Sequence, residues 1–229
     1  MRPVAHVITG SATSGVDTSK VVRNTYTLLS MTLLFSALTA GISMAIQPPM
    51  FTGIVCSLGA LALIWLVLPK TANSSAGLGV VFAITGLLGF GLGPMLTHYL
   101  AMANGGTIVM NALASTGITF LGLSAYVLKT KKDFSFMGGF LMVGLFTVIG
   151  LAIVSLIASF AFGVDVSAFS LAISGAVVLL MSGLILFETS RIVNGGETNY
   201  LMATVGLYLS IYNLFTALLH IFGATSGDD

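Results

Sequence analysis

The stretch Ala176-Val-Val-Leu-Leu-Met-Ser-Gly-Leu-Ile-Leu-Phe187 carries no charge and has no polar face at either the helical or the strand period. Leu61-Ala-Leu-Ile-Trp-Leu-Val-Leu68 reads the same way. A segment apolar on every side needs an apolar solvent. The two-residue alternation of a membrane barrel is absent, and in hydrocarbon only a helix satisfies its own backbone polar groups. Working outward, uncharged apolar stretches of at least about 18 residues predict seven spans: Tyr26 to Ile46, Phe51 to Leu68, Gly77 to Leu100, Gly105 to Leu128, Met137 to Phe162, Ala168 to Phe187 and Tyr200 to Phe222. The predicted class is an all-α integral membrane protein.

Composition agrees. The 229 residues include eight basic and seven acidic side chains, 7% charged, where a soluble domain carries roughly a quarter. Hydrophobic residues make up 56% and mean hydropathy is +1.06. A net charge of +1 offers no basic stripe for nucleic acid. One cysteine, Cys56, excludes an intrachain disulfide and a thiolate metal cage.

Placing the charges gives the orientation. Arg2, Lys20 and Arg23 precede the first span, Lys70 follows the second, Lys129, Lys131 and Lys132 follow the fourth, and Arg191 follows the sixth. All positive residues therefore fall on one side, which predicts a cytoplasmic N-terminus and an external C-terminus. The predicted organisation is a flexible cytoplasmic tail over 1–24, a membrane domain over 25–222 and a short external tail over 223–229. The tail is Ser/Thr-rich and lacks the apolar core of a signal peptide, so no cleavage is expected. It buries too little to offset its ordering entropy.

In the third span Gly86, Gly89, Gly91 and Gly93 precede Pro94. Such glycines serve close helix packing, and Gly93-Pro94 is alternatively a candidate hinge.

Several chemistries fail on placement. Ser124 falls near the cytoplasmic end of span four, whereas His98 and His220 fall near the outer face, roughly 24 Å away at about 1.5 Å per residue. No serine–histidine pair assembles. Asp133 and Asp165 lie in connectors on opposite faces, which excludes an aspartyl dyad. No carboxylate or cysteine stands beside the two histidines to complete a metal site, so no metal, cofactor or catalytic residue is assigned.

The exception is the cytoplasmic edge of spans six and seven, which holds both glutamates, Glu188 and Glu197. Glu188 and Arg191 stand three apart and can pair on one helix face, with Asn194-Gly195-Gly196 ending the helix in a left-handed cap. That is an ordinary interfacial ion pair. The alternative is that Glu188 folds inward, as the only acid near enough to the bundle to hold a cation or a proton.

Phe187-Glu188-Thr189-Ser190, Gly195-Gly196-Glu197-Thr198-Asn199-Tyr200 and Leu207-Tyr208-Leu209-Ser210-Ile211-Tyr212-Asn213-Leu214-Phe215 resemble the last two spans of the Bax inhibitor-1 family of seven-helix membrane proteins. The likeness is closer still to its YccA branch, bacterial modulators of the membrane-anchored AAA protease FtsH. Val22-Arg23-Asn24-Thr25-Tyr26, Thr85-Gly86-Leu87-Leu88-Gly89, Leu92-Gly93-Pro94 and Lys132-Asp133-Phe134-Ser135-Phe136-Met137-Gly138-Gly139 agree, so the resemblance runs through essentially the whole chain.

The resemblance implies a bundle whose seventh helix is central and wrapped by the other six, in the bacterial inner membrane. It implies one of two activities. YccA-branch proteins bind FtsH, with its associated membrane regulators, restrain its degradation of membrane proteins and are themselves its substrates. Arg2, Lys20 and Arg23 would then mark the tail the protease engages. Other members resemble pH-sensitive calcium leaks gated by an acid pair on helices six and seven. The first acid falls on Glu188, the second on Ser210, with Asn213 beyond it in the same motif. Two close acids share a proton and titrate near neutrality, but a glutamate facing a serine has no such like-charge term. A calcium ion would also lose one hard anionic ligand. The expected function is therefore FtsH modulation, with the cation leak as the alternative.

Overall fold

The computed structural model describes residues 18–226. These form seven helices long and apolar enough to cross a membrane, and no strand is found among the described residues. They are α1 (Thr18–Ile46), α2 (Thr52–Thr71), α3 (Ala76–Leu100), α4 (Gly105–Thr130), α5 (Gly138–Phe162), α6 (Ser167–Val193) and α7 (Tyr200–Thr225). A single 3-10 turn, Ser135–Met137, leads into α5.

Several helix ends depart from the charge-free spans. α1 begins at Thr18, so the residues from Thr18 to Asn24, assigned by composition to the tail, are helical. Val21 and Thr25, one turn apart, are buried and dock this polar segment on the bundle. Lys20 and Arg23 thus belong to a helix, while Arg2, with the rest of 1–17, and the last residues, 227–229, lie outside the described residues. α6 continues past Phe187 to Val193 and carries Glu188 and Arg191 on its final turns. α7 likewise runs into the segment read as the C-terminal tail.

α2 is irregular. Over Leu63–Val67 it widens into a π turn, with the Leu68 N–H bonded to the Leu63 carbonyl. Pro69 follows directly and has no N–H to continue a regular ladder.

α3 is the small-residue face against which α1 and α2 close. A Cβ at Gly86 would lie 2.8 Å from the Phe35 ring, and one at Gly93 would lie 3.1 Å from the Met44 nitrogen and collide with Ser43. Gly89 abuts Ser36 and Thr39 in the same way. On the neighbouring face, a Cβ at Gly91 would stand 3.1 Å from the Cys56 Cβ. Backbone approach of this kind drives helix association where lipid competes for every apolar contact. Gly93 and Pro94, the candidate hinge, are both buried in a helix that runs through them without a break.

α7 packs against α1, α3, α4 and α6, while α5 leans on α6. Half of the most apolar stretch of α7 is buried, against 11% for α5, so α5 gives most of its surface to lipid. Many of the side chains facing outward are large and apolar, such as Trp65, Phe146 and Phe160.

Candidate functional site

The end of the bundle that gathers the basic residues is tied together by two side chains. Asn199 caps α7, its Oδ1 accepting from the Leu201 N–H at 2.9 Å and the Met202 N–H at 3.2 Å. Its Nδ2 reaches across to the α2–α3 connector and donates to the Ala72 carbonyl at 2.9 Å and Asn73 Oδ1 at 3.0 Å. An asparagine N-cap stabilises a helix by about 1 kcal/mol, and this one also fixes a neighbouring connector. Ser190, fully buried on α6, does the same for the α4–α5 connector. Its Oγ accepts from the Phe134 N–H at 2.8 Å and donates to the Lys132 carbonyl at 3.2 Å. Beside it Asp133 accepts from the Ser135 hydroxyl and from the Ser135 N–H, and these bonds hold its carboxyl below the usual carboxylate range.

α6 ends as its sequence predicts. Gly195 has a φ of +78°, and the Gly196 and Glu197 N–H groups both bond the Arg191 carbonyl, at 2.8 and 3.1 Å. This is the left-handed stop that glycine permits at no steric cost.

Arg191 does not pair with Glu188. It donates to the Gly196 carbonyl at 3.2 Å and forms an ion pair with Glu197 at 3.4 Å. The tight turn after Gly195 brings Glu197 back over the last turn of α6. The guanidinium lies over the Phe187 ring, 5.7 Å from its centroid. The pair is exposed enough to contribute little to stability.

Glu188 instead turns into the α6–α7 seam. Its Oε2 accepts from the Ser210 hydroxyl at 2.9 Å. Its Oε1 rests on Gly206, where a Cβ would stand 2.8 Å away. Ser210 is 2% exposed and Glu188 is partly buried. Gly206 and Ser210, one turn apart on α7, thus form a notch of small residues into which the carboxyl fits. Of the residues grouped as an ion or proton site, Glu188 and Ser210 come together. Asn213 lies further along α7 and spends its amide on its own helix, donating to the Leu209 carbonyl at 2.8 Å.

Sequence reasoning passed over two features. Gly206 is the room the carboxyl needs, and its spacing to Ser210 was the available signal. The second is a set of hydroxyls around Thr189, adjacent to Glu188 and fully buried. Thr189 Oγ1 lies 3.4 Å from the Tyr26 hydroxyl on α1 and 3.5 Å from Ser124 Oγ on α4. Ser124 therefore joins a structural cluster of hydroxyls. His220 is elsewhere, bonded through Nδ1 to Ser174 Oγ at 2.9 Å, and His98 packs edge-on against Tyr99. No group of three His, Cys, Asp or Glu side chains suited to a metal occurs among the described residues. The seam can hold a single carboxyl against a hydroxyl donor, and it presents one acidic ligand.

Known proteins share this chain's pattern over nearly its full length. The family described as "Inhibitor of apoptosis-promoting Bax1" matches residues 18–227. An uncharacterized membrane protein of Vibrio cholerae is 48% identical over 96% of this chain and 96% of its own. The Escherichia coli K12 protein named "Modulator of FtsH protease YccA" is 47% identical over 94% of this chain and 95% of its own. Its counterpart in E. coli O6:H1, with the same identity and coverage, is named "Inner membrane protein YccA". With the match spanning all seven helices, the chain belongs to the Bax inhibitor-1 family and lies with its YccA relatives.

Proposed function

We propose that this inner-membrane protein is a modulator of the membrane-anchored AAA protease FtsH, acting as binder, inhibitor and slow substrate. The observation that carries the reading is the 47% identity, over 94% of the chain, to the E. coli protein named for that role. The seven-helix bundle adds physical support. A helix pair closed through glycines, as α1 and α3 are, resists extraction because every step breaks contacts that lipid cannot replace. A protein that engages the protease and yields slowly occupies it and protects other membrane substrates. The reading carries no catalytic role.

In this reading the N-terminus is cytoplasmic, the C-terminus external, and α7 is the central helix with the other six around it. The convergence of the basic connectors at one end, tied by Asn199 and Ser190, supports the orientation. The breadth of contacts made by α7 supports its centrality.

Affinity purification from native membranes in mild detergent tests the proposal. Co-isolation of FtsH, together with faster turnover of its membrane substrates when the protein is removed, is the expected result. Absence of FtsH with unchanged turnover overturns it. Removal of residues 2–17 should slow degradation of the protein itself, and unaltered turnover of that truncation would count against the tail as the engaged segment.

A second reading, a cation leak, is favoured by one observation: Glu188 faces the bundle. Reconstitution into liposomes separates the two. Calcium flux that responds to pH and is lost in Glu188→Gln would promote the leak, and silence of the intact protein would dismiss it.

A further inference from the structure

A crevice of about 470 Å³ opens between α1 and α4. Its floor is formed by Leu92 and Leu96 of α3 and Ile211 and Phe215 of α7, all buried. Its rim is Ala37 on α1 and Leu113 on α4, both exposed. At the inner end, marked by Leu33 and Phe120, the Phe120 ring lies 6.1 Å from that of Tyr26.

Three of the four hydroxyl side chains in the walls are already spoken for. Ser36 Oγ and the Tyr208 hydroxyl bond each other at 2.6 Å, and Thr116 Oγ1 donates to the Ala112 carbonyl at 2.7 Å. A cavity of this kind does not hold water, which needs two to four polar partners, and apolar cavities of only about 150 Å³ take up hydrophobic molecules. Left void, its lining would forfeit dispersion contacts outright.

Length and position identify the occupant. The crevice runs along α1 from Leu33 to Met44 and along α4 from Phe120 to Val109, roughly 16 Å on each helix at about 1.5 Å per residue. That is half of a hydrocarbon core about 30 Å thick, the depth of one leaflet. It lies in the half of the bundle away from the basic connectors, and its rim is continuous with the lipid-facing surface of α1 and α4, where Leu34, Leu38 and Ile118 are exposed. We propose that the crevice between α1 and α4 is a lipid site that holds one acyl chain from the leaflet opposite the basic connectors.

The occupant would touch the last helix on the Tyr208 face, whereas Ser210 and Glu188 meet on another face of the same helix. A chain in the crevice therefore supports the packing of α7 without entering the carboxyl seam.

The test uses the full protein in liposomes of phosphatidylethanolamine and phosphatidylglycerol doped with a phospholipid bearing a diazirine at mid-chain. After photolysis, labelled positions are mapped by mass spectrometry. The expected result is labelling of Leu33, Ala37, Leu113 and Gly117 several-fold above Phe146 and Phe160 on the open face of α5. Gly117→Leu, at a position where a Cβ meets nothing within 4 Å, should reduce crevice labelling to the α5 level while α5 labelling is unchanged. Equal labelling of crevice and α5 in the unmodified protein overturns the proposal with no variant needed. So does crevice labelling that survives Gly117→Leu. Labelling seen in liposomes but missing in native membranes would assign the crevice to another protein's helix, and also overturns it.

Discussion

Removing the Ser210 hydroxyl should unseat the Glu188 carboxyl, and the size of the effect can be worked from the seam. The 2.9 Å bond joins a fully buried donor to a partly buried acceptor. A hydrogen bond to a neutral group contributes about 0.5–1.5 kcal/mol and one to a charged group about 1.5–3 kcal/mol. Ser210→Ala should therefore cost on the order of 1–2 kcal/mol, the upper part being reached if the carboxyl is charged. Glu188→Gln keeps shape and acceptor but fixes the side chain as neutral, so Ser210→Ala in that background should cost only about 1 kcal/mol. The difference between backgrounds is the coupling energy of a double-mutant cycle. Gly206→Ala supplies an independent route to the same state, because its Cβ would stand 2.8 Å from Glu188 Oε1 and displace the carboxyl from Ser210. Its cost is offset by up to about 1 kcal/mol of helix propensity, and it should be non-additive with Ser210→Ala. Unfolding midpoints in mixed detergent micelles, followed by circular dichroism, provide the assay. If Ser210→Ala costs under about 0.3 kcal/mol in both backgrounds and adds fully to Gly206→Ala, the Glu188–Ser210 seam does not exist in the folded protein.

Three further outcomes follow from other parts of the bundle. Gly89→Ala and Gly93→Ala should each cost about 1–3 kcal/mol by overpacking the α1–α3 contact, while Gly122→Ala, whose Cβ meets nothing within 4 Å, should be neutral or gain up to about 1 kcal/mol; thermal melts rank the three. Asn199→Ala should cost about 1–2 kcal/mol and raise hydrogen exchange both at the first turn of α7 and at the Ala72 and Ser74 amides of the connector, since one side chain holds both. The Asp133 carboxyl is depressed in the folded state, so its contribution is complete above the ordinary carboxylate range and is lost as pH falls through its own lower value; the Ser135 amide resonance should shift only in that acid window, and stay flat in Asp133→Asn.

The count of spans was legible because hydrocarbon leaves a chain almost no alternative: AVVLLMSGLILF has no surface to offer water, and its backbone must bond to itself. The glycine stripe of α3 was legible as packing for a similar reason, although which glycine meets which partner depends on how α1 is rotated, and that appears only with Phe35, Ser36 and Ser43 in place. Helix ends were less legible. A rule that stops a span at its first charge ends α6 at Phe187, yet the helix continues to Val193, because Glu188 finds a hydroxyl in the seam and Arg191 points to the interface. The same rule leaves the segment from Thr18 to Asn24 in the tail, since one buried side chain, Val21, among polar neighbours is a weak signal over a single turn or two.

The partner of Glu188 illustrates what spacing leaves undetermined. Local separation favours Arg191, which shares its helix, over Ser210, which is distant in sequence. What decides is the notch at Gly206: it leaves room for the carboxyl beside a buried hydroxyl donor, whereas the alternative is an exposed cation screened by water. Arg191 is then released to Glu197, which the Gly195 turn delivers to it. A side chain larger than hydrogen at position 206 would reverse both choices at once, sending the carboxyl outward to compete with Glu197 for the guanidinium. The inward acid and the closed turn are therefore one arrangement. The Gly206→Ala variant should show it as a second, correlated loss: weaker protection of the Gly196 and Glu197 amides that now bond the Arg191 carbonyl.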